Sequence, residues 1–291
     1  MTQQVVEFLR TAYTRHPRRF EAYTYVYPVL SRRSKGISIG INLNPDKICN
    51  FDCIYCQVDR TIPPTLRDVS LPVIDRELRD ILTGVRDGSF FERPPFLNIP
   101  AHLQRLNDIA FSGDGEPTSY PRFREVVERV IATKEEIGFA DVKIVVITNA
   151  SLFHRPQVRE AFRLLDRHNG EIWAKLDAGT EDYYRLIERT TIPFQRIVQN
   201  ITHAAKERPL IIQSLFMRVS GEGPPSEEIE AYCGILRRVL DGGGSLKLIQ
   251  VYTVARPPAE ASVTTLTDQE VDGIAERVRE WLPNVPVEVY Y

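Results

Sequence analysis

The alternation of strand-like and helix-like segments most constrains how this chain folds, because repeated βα units build parallel sheet and exclude a sandwich or a helical bundle. The first strand is expected at Ile37–Leu43, where Ile37, Ile39, Ile41 and Leu43 share one face. On the other face Ser38, Gly40 and Asn42 predict open space that something could approach closely. A helix over Val73–Val85 precedes a strand at Asp108–Phe111. Phe123, Val126, Val127, Val130 and Ile131 then form the stripe of a helix that starts near Pro121 and stops at Gly138. The unbroken run Ile144–Ile147 reads as a strand buried on both faces. Further units follow as helix Arg155–Arg167, strand Ile172–Leu176, helical segments over Glu181–Lys206, strand Leu210–Phe216, helix Glu227–Leu240 and strand Leu246–Val254. Thr267 and Glu270 have capping-box spacing for a last helix, and Val285–Tyr290 adds a final strand.

Six βα units are too few to close an eight-stranded barrel, so the expected fold class is α/β, a partial (βα)6 TIM-like barrel. Residues 1–35 are read as an N-terminal extension packed on the core, and residues 36–291 as the barrel with its C-terminal helix and strand. In such folds the ligand site lies at the carboxyl ends of the strands. The segments that follow the strands here are the cysteine-bearing loop after residue 43, SGDGEPT, TNAS and LDAG.

At 291 residues, 43% hydrophobic and 26% charged, the chain is long and apolar enough to bury a sizeable core. Its formal net charge of -2 gives no global attraction to nucleic acid or anionic lipid. The basic run Arg15, His16, Arg18, Arg19, Arg32, Arg33 and Lys35 reads either as a solvated face or as a phosphate-binding patch. Neither a leader-like apolar segment nor a stretch of membrane-spanning length is recognisable, and four cysteines, three of them clustered, do not form a secreted disulfide framework. A cytoplasmic protein that does not engage the membrane is expected.

Cys49, Cys53 and Cys56 stand in the order CxxxCxxC. Three thiolates can hold three irons of a cubane and leave the fourth iron without a protein ligand. Zinc with His16 or His102 as fourth ligand is the alternative, and it lacks the second paired set that zinc sites use. The remaining cysteine, Cys233, falls on the apolar stripe Ile229, Tyr232, Cys233, Leu236 and Leu240 and is expected in the core. No phosphate-binding GxxxxGK[ST] loop is present, and no histidine or carboxylate pair stands out as a hydrolytic site.

With Tyr55 before the third cysteine and GDGEP downstream, the chain resembles the radical SAM superfamily, whose signature is CxxxCxΦC. The wording of YPVLSRRSKGISIGINLNPDKICNFDCIYC, GDGEPTSYP, VVITNAS, KLDAGTEDYYRLIER and VYTVARPP is most similar to the wyosine-synthase-like branch, which makes a tricyclic base in transfer RNA. It departs from that branch in one respect: the wyosine enzymes hold a second cluster on upstream cysteines, and residues 1–48 contain none.

The resemblance implies that Cys49, Cys53 and Cys56 ligate a [4Fe-4S] cluster whose open iron is chelated by S-adenosylmethionine. It further implies reductive cleavage to a 5'-deoxyadenosyl radical, hydrogen abstraction from a substrate that the sequence does not name, and a low-potential donor such as flavodoxin or ferredoxin. RNA or a nucleotide is one reading of the substrate. A glycyl-radical-enzyme activase and a non-catalytic iron-sulfur or S-adenosylmethionine sensor are the competing readings.

By the same resemblance Tyr55 contacts adenine, and Gly113, Asp114, Gly115, Glu116 and Pro117 meet the methionyl amine. A core aromatic and a tight βα turn are the plain alternatives. Thr148, Asn149 and Ser151 either bind ribose or carboxylate or cap the next helix. Trp173, Lys175 and Asp177 share one strand face, where the last two read as a cavity-facing pair or a structural ion pair. Gln213, Ser214, Tyr252 and Arg256 are further candidates for adenine or substrate contact, against simple packing.

Overall fold

A computed structural model describes residues 20–31, 36–64, 66–256, 258 and 260–291. All seven basic positions named above, with residues 1–19 and 32–35 of the expected N-terminal extension, lie outside the described residues. The chain divides into two compact units. One comprises Met1–Ile48, Pro64–Val146 and Pro156–Glu171; the other comprises Cys49–Pro63, Ile147–Arg155 and Ile172–Tyr291. An eight-stranded sheet runs through the fold.

In the first unit the strands are β1 (Val26–Ser31), β2 (Gly36–Ile41), β3 (Leu106–Phe111) and the start of β4 (Lys143–Thr148), in that sheet order. β2, β3 and β4 are parallel, and β1 pairs antiparallel with β2. β1 was not expected, because Pro28 interrupts a short apolar run and removes a ladder donor. An edge strand tolerates that loss. Its entry is held by Glu77 of helix α1 (Leu71–Asp87), whose buried carboxylate accepts the backbone N–H groups of Thr24, Tyr25 and Val26 at 2.8, 2.9 and 3.1 Å.

β1 also corrects the reading of the small-residue face of β2. A Cβ at Gly40 would lie 2.2 Å from the ring of Tyr27, the directly paired residue on β1. Ser38 is hydrogen-bonded to Asp108, and Asn42 to Asp114. The chain's own side chains occupy the space that the sequence left open.

Helix α2 (Phe123–Glu136) buries the expected stripe, and Gly138 behind it takes a left-handed φ of +92°. Lys134 is buried in that helix and donates to the carbonyls of Ala140, Val142 and His168 at 2.7, 2.6 and 3.1 Å. Helix α3 (Pro156–Leu165) and the start of β5 (Gly170–Lys175) complete the unit.

In the second unit the strand order is β5, β6 (Leu210–Leu215), β8 (Leu246–Tyr252) and β10 (Val287–Tyr290), all parallel. A two-residue antiparallel ladder of β7 (Arg218–Val219) with β9 (Val263–Thr264) was not expected. Four helices accompany these strands: α4 (Glu181–Glu188), α5 (Phe194–Glu207), α6 (Ser226–Asp241) and α7 (Asp268–Trp281). α7 opens with the expected capping box: Thr267 Oγ1 accepts Glu270 N–H at 3.3 Å, and the Glu270 carboxylate accepts Thr267 N–H at 2.8 Å. Cys233 has no exposure and packs within α6's buried face, as its stripe implied.

Candidate functional site

The cysteine-bearing segment Cys49–Pro63 follows β2 in sequence and belongs to the second unit. Helix α4 and its exit hold it from below. Asp52 N–H and Ile54 N–H donate to the carbonyls of Glu188 and Ile187 at 3.1 and 2.9 Å, and Thr190 Oγ1 donates to the Asn50 carbonyl at 2.9 Å. Phe51 meets Tyr184 edge to face at 6.0 Å. These contacts sit on both sides of Cys53 and hold the backbone around it.

Cys49, Cys53 and Cys56 are half-buried free thiols. Arg60 Nη1 donates to Cys56 Sγ at 3.3 Å, and Cys53 Sγ lies 2.6 Å from Glu188 Oε2. Burial, followed by the charge of Glu188, raises the Cys53 thiol well above its ordinary range. Among the described residues no three histidine, cysteine, aspartate or glutamate side chains converge as they would around a single metal ion. A cubane makes no such demand, since each thiolate binds a different iron.

Asn50, inside the motif, ties this loop to the TNAS segment. Asn149 Nδ2 donates to Asn50 Oδ1 at 2.8 Å, Asn50 Nδ2 donates to Ser151 Oγ at 2.8 Å, and Ser151 Oγ donates to Asn149 Oδ1 at 2.6 Å. Thr148 accepts the Ala150 N–H at 3.2 Å. Helix α3 begins only at Pro156, so Ser151 braces the loop and caps nothing.

A buried polar cluster stands at the carboxyl ends of β5, β6 and β8. Lys175 Nζ bonds Asp177 Oδ2 at 3.0 Å and Tyr252 Oη at 2.9 Å, and lies 5.2 and 5.3 Å from the ring centres of Tyr55 and Tyr252. Asp177 Oδ1 also accepts Leu215 N–H at 2.8 Å, so its orientation is fixed by backbone. The Tyr55 hydroxyl reaches both Asp177 and Glu188, the latter at 3.1 Å. Burial and the nearby Asp177 push the Glu188 carboxyl above its usual range. Burial is the largest effect and would lower the Lys175 ammonium, but Asp177, Tyr252 and Glu188 together outweigh it and hold the charge firmly.

Lys175, Gln213 and Gln250 are in register across three adjacent strands, with Gln213 Nε2 donating to Gln250 Oε1 at 3.0 Å. One layer below, Trp173, Ile211 and Leu248 form the corresponding row. Ser214 points elsewhere: its hydroxyl is bonded to the Leu176 carbonyl and to Tyr232 Oη, both at 2.7 Å. Arg256 lies just beyond β8, and its carbonyl accepts from Gln57 of the cysteine loop at 3.4 Å.

The first unit holds the GDGEP turn. A Cβ at Gly113 would lie 2.3 Å from Asn42 Oδ1, and one at Gly115 would lie 2.3 Å from the Ile48 carbonyl, so only glycine fits at either position. Asp114 gives its carboxylate to Asn42 Nδ2 at 2.6 Å while its N–H reaches Asn42 Oδ1 at 3.1 Å. Glu116 is buried and accepts Thr118 N–H at 3.1 Å, closing a short helical turn that begins at Pro117.

Glu188, Asn50, Asn42 and Gln250 were missed by sequence reasoning. Asn50 could have been found, because it lies inside the motif. The others have no local signal: Glu188 reads as the solvated end of an amphipathic helix, and Gln250 as one polar residue in an apolar strand.

A family model described as the Radical SAM superfamily matches residues 43–231. A UPF0026 protein of Methanocaldococcus jannaschii is 35% identical over 164 residues, 56% of this chain and 43% of that protein. The chain spans between 22% and 65% of the length of the curated relatives it matches. In structure, a radical SAM methyltransferase from Sphaerobacter thermophilus is similar over 91% of this chain and 69% of its own, with a TM-score of 0.61 and 14% identity. TYW1 with a lysine-pyruvate adduct bound is similar over 98% of this chain and 90% of its own, with a TM-score of 0.56 and 16% identity. These likenesses show the fold, a partial (βα)6 TIM-like barrel.

Proposed function

Because the chain belongs to the radical SAM superfamily, we propose that it binds one [4Fe-4S] cluster through Cys49, Cys53 and Cys56, cleaves S-adenosylmethionine reductively and draws a hydrogen atom from its substrate. It is an enzyme of that class, whose cofactors are such a cluster and S-adenosylmethionine. When bound, the cluster supplies one low-potential electron; a carrier such as flavodoxin or ferredoxin is proposed to replenish it. The observation that carries the reading is three half-buried thiols on one loop that is braced by backbone, with Tyr55 within the motif.

The protein's own residues bind and orient. The glycines of the GDGEP turn are proposed to let backbone approach the methionyl amine, with Asp114 spent on fixing Asn42. Asn149 and Thr148 are proposed to meet the ribose or the carboxylate, and Tyr55 the adenine. Lys175, Asp177, Gln213, Gln250 and Tyr252 are proposed to face the rest of the cavity, where charge held by a buried pair survives desolvation. The internal bonds of Ser214 favour a structural role.

For the substrate, the wording shared with the wyosine-synthase-like branch supports a nucleotide or an RNA nucleotide, and the carboxamides of Gln213 and Gln250 are suited to reading polar edges. Modified nucleosides and metabolites compared in cells with and without the gene test this reading. Loss of one nucleoside modification is expected; unchanged nucleosides with an altered small metabolite would overturn the RNA substrate. No described helix is long and apolar enough to cross a membrane.

A further inference from the structure

We infer that Glu188 is a positioning residue for Cys53, holding the thiol in place in the cluster-free chain so that the loop is ready to accept iron. The inference rests on the reading of Cys53 as a cluster ligand. Glu188 is 4% exposed at the end of α4, and its carboxylate meets Cys53 Sγ at 2.6 Å and Tyr55 Oη at 3.1 Å, with Asp177 also beside it. It has no guanidinium or ammonium partner within ion-pair distance among the described residues. A buried carboxylate is costly, and Lys175 offsets its charge without bonding it, so its place in the fold needs a compensating contact. The contacts to Cys53 and Tyr55 are both inside the CxxxCxxC motif.

The main chain of the same residue points to the same role. The Glu188 carbonyl accepts Asp52 N–H at 3.1 Å and the Ile187 carbonyl accepts Ile54 N–H at 2.9 Å, the residues on either side of Cys53. Directly after it Arg189 takes a left-handed φ of 43°, which ends α4 and brings Thr190 to the Asn50 carbonyl. One helix end thus grips three consecutive residues, Asp52, Cys53 and Ile54, with the side chain on the thiol and the carbonyls on its neighbours. Beside Cys56 stands Arg60, an exposed arginine that donates to its sulfur.

Glu188→Ala and Glu188→Gln in the full chain test this. Glutamine keeps an acceptor for the thiol and for Tyr55; alanine keeps neither. In the cluster-free protein, hydrogen exchange at the Asp52 and Ile54 amides is expected to accelerate in the alanine variant and stay near wild type in the glutamine variant. In anaerobic reconstitution at limiting iron, the alanine variant is expected to lose roughly tenfold in apparent iron affinity, the scale of outer-shell losses at metal sites. The electron paramagnetic resonance lines of its reduced cluster are expected to shift, with glutamine restoring both. Wild-type exchange, iron uptake and spectrum in the alanine variant would overturn the inference, as would equal damage in both variants. A wild-type chain that takes up no iron would refute the cluster reading instead, and the exchange measurement, which needs no iron, would still decide whether Glu188 braces the loop.

Discussion

Lys175 and Asp177, on either side of the exit from β5, form an ion pair 3.0 Å long whose carboxylate is fully buried. The Asp177 side chain is also pinned by Leu215 N–H, so the lysine has one fixed place to go. Removing one partner of such a pair leaves the other charge stranded, at a cost of about 3 kcal/mol or more. Lys175→Met and Asp177→Asn are each expected to destabilise the cluster-free chain on that scale, and the double variant by clearly less than their sum. Denaturant titration of all four proteins measures the coupling. Additive losses would show that the two charges act independently.

The GDGEP turn predicts an order between two glycine substitutions. At Gly113 a new Cβ meets mainly the Asn42 side chain, whereas at Gly115 it meets the Ile48 carbonyl, which cannot swing away. Gly115→Ala is therefore expected to cost more stability than Gly113→Ala, each within the range of about 1–3 kcal/mol for overpacking. Both should weaken S-adenosylmethionine binding in equilibrium dialysis. Wild-type affinity in Gly115→Ala would remove this turn from the cofactor site.

Tyr183 carries a buried hydroxyl with no hydrogen-bond partner among the described residues, and burial raises its pKa to about 12. Deleting an unsatisfied hydroxyl relieves a desolvation cost, so Tyr183→Phe is expected to stabilise the cluster-free chain by up to about 1 kcal/mol. A destabilised variant in thermal unfolding would show that the hydroxyl has a partner in solution.

The capping box of α7 should respond to acid. Hydrogen bonds from the Thr267 backbone and side chain hold the Glu270 carboxyl below its usual range. A carboxylate with a depressed folded pKa gives stability that is present above its unfolded pKa and lost as pH falls through the folded one. Thr267→Ala should thus lower the melting temperature at neutral pH, with a difference that narrows on acidification below the ordinary glutamate range. A difference that stays constant with pH would contradict the cap.

The βα order and most helix faces were legible in the sequence because each depends on local periodicity, as with Phe123 through Ile131 or the Thr267–Glu270 spacing. β1 was not, since Pro28 breaks its pattern and only pairing with β2 makes it a strand. The apparent gap beside Gly40 was misread for the same reason: Tyr27 fills it through a contact across strands. The placing of Cys49, Cys53 and Cys56 on one loop was legible in the sequence, and the pairing of Lys175 with Asp177 from alternation along one strand. Glu188 was hidden because its partners in the cysteine motif lie more than a hundred residues away in the chain, and nothing in a helix end of charged residues distinguishes a buried glutamate from a solvated one.

Cys49, Cys53 and Cys56 are proposed to hold a single cluster at which S-adenosylmethionine is cleaved, and 5'-deoxyadenosine formed per cluster after anaerobic reconstitution and reduction measures that cleavage. Roughly four irons per chain are expected, as a [4Fe-4S] cluster requires, with 5'-deoxyadenosine and methionine released in equal amounts and both lost in Cys53→Ala. A fully loaded wild-type chain that binds S-adenosylmethionine under reducing conditions and yields no 5'-deoxyadenosine would contradict it.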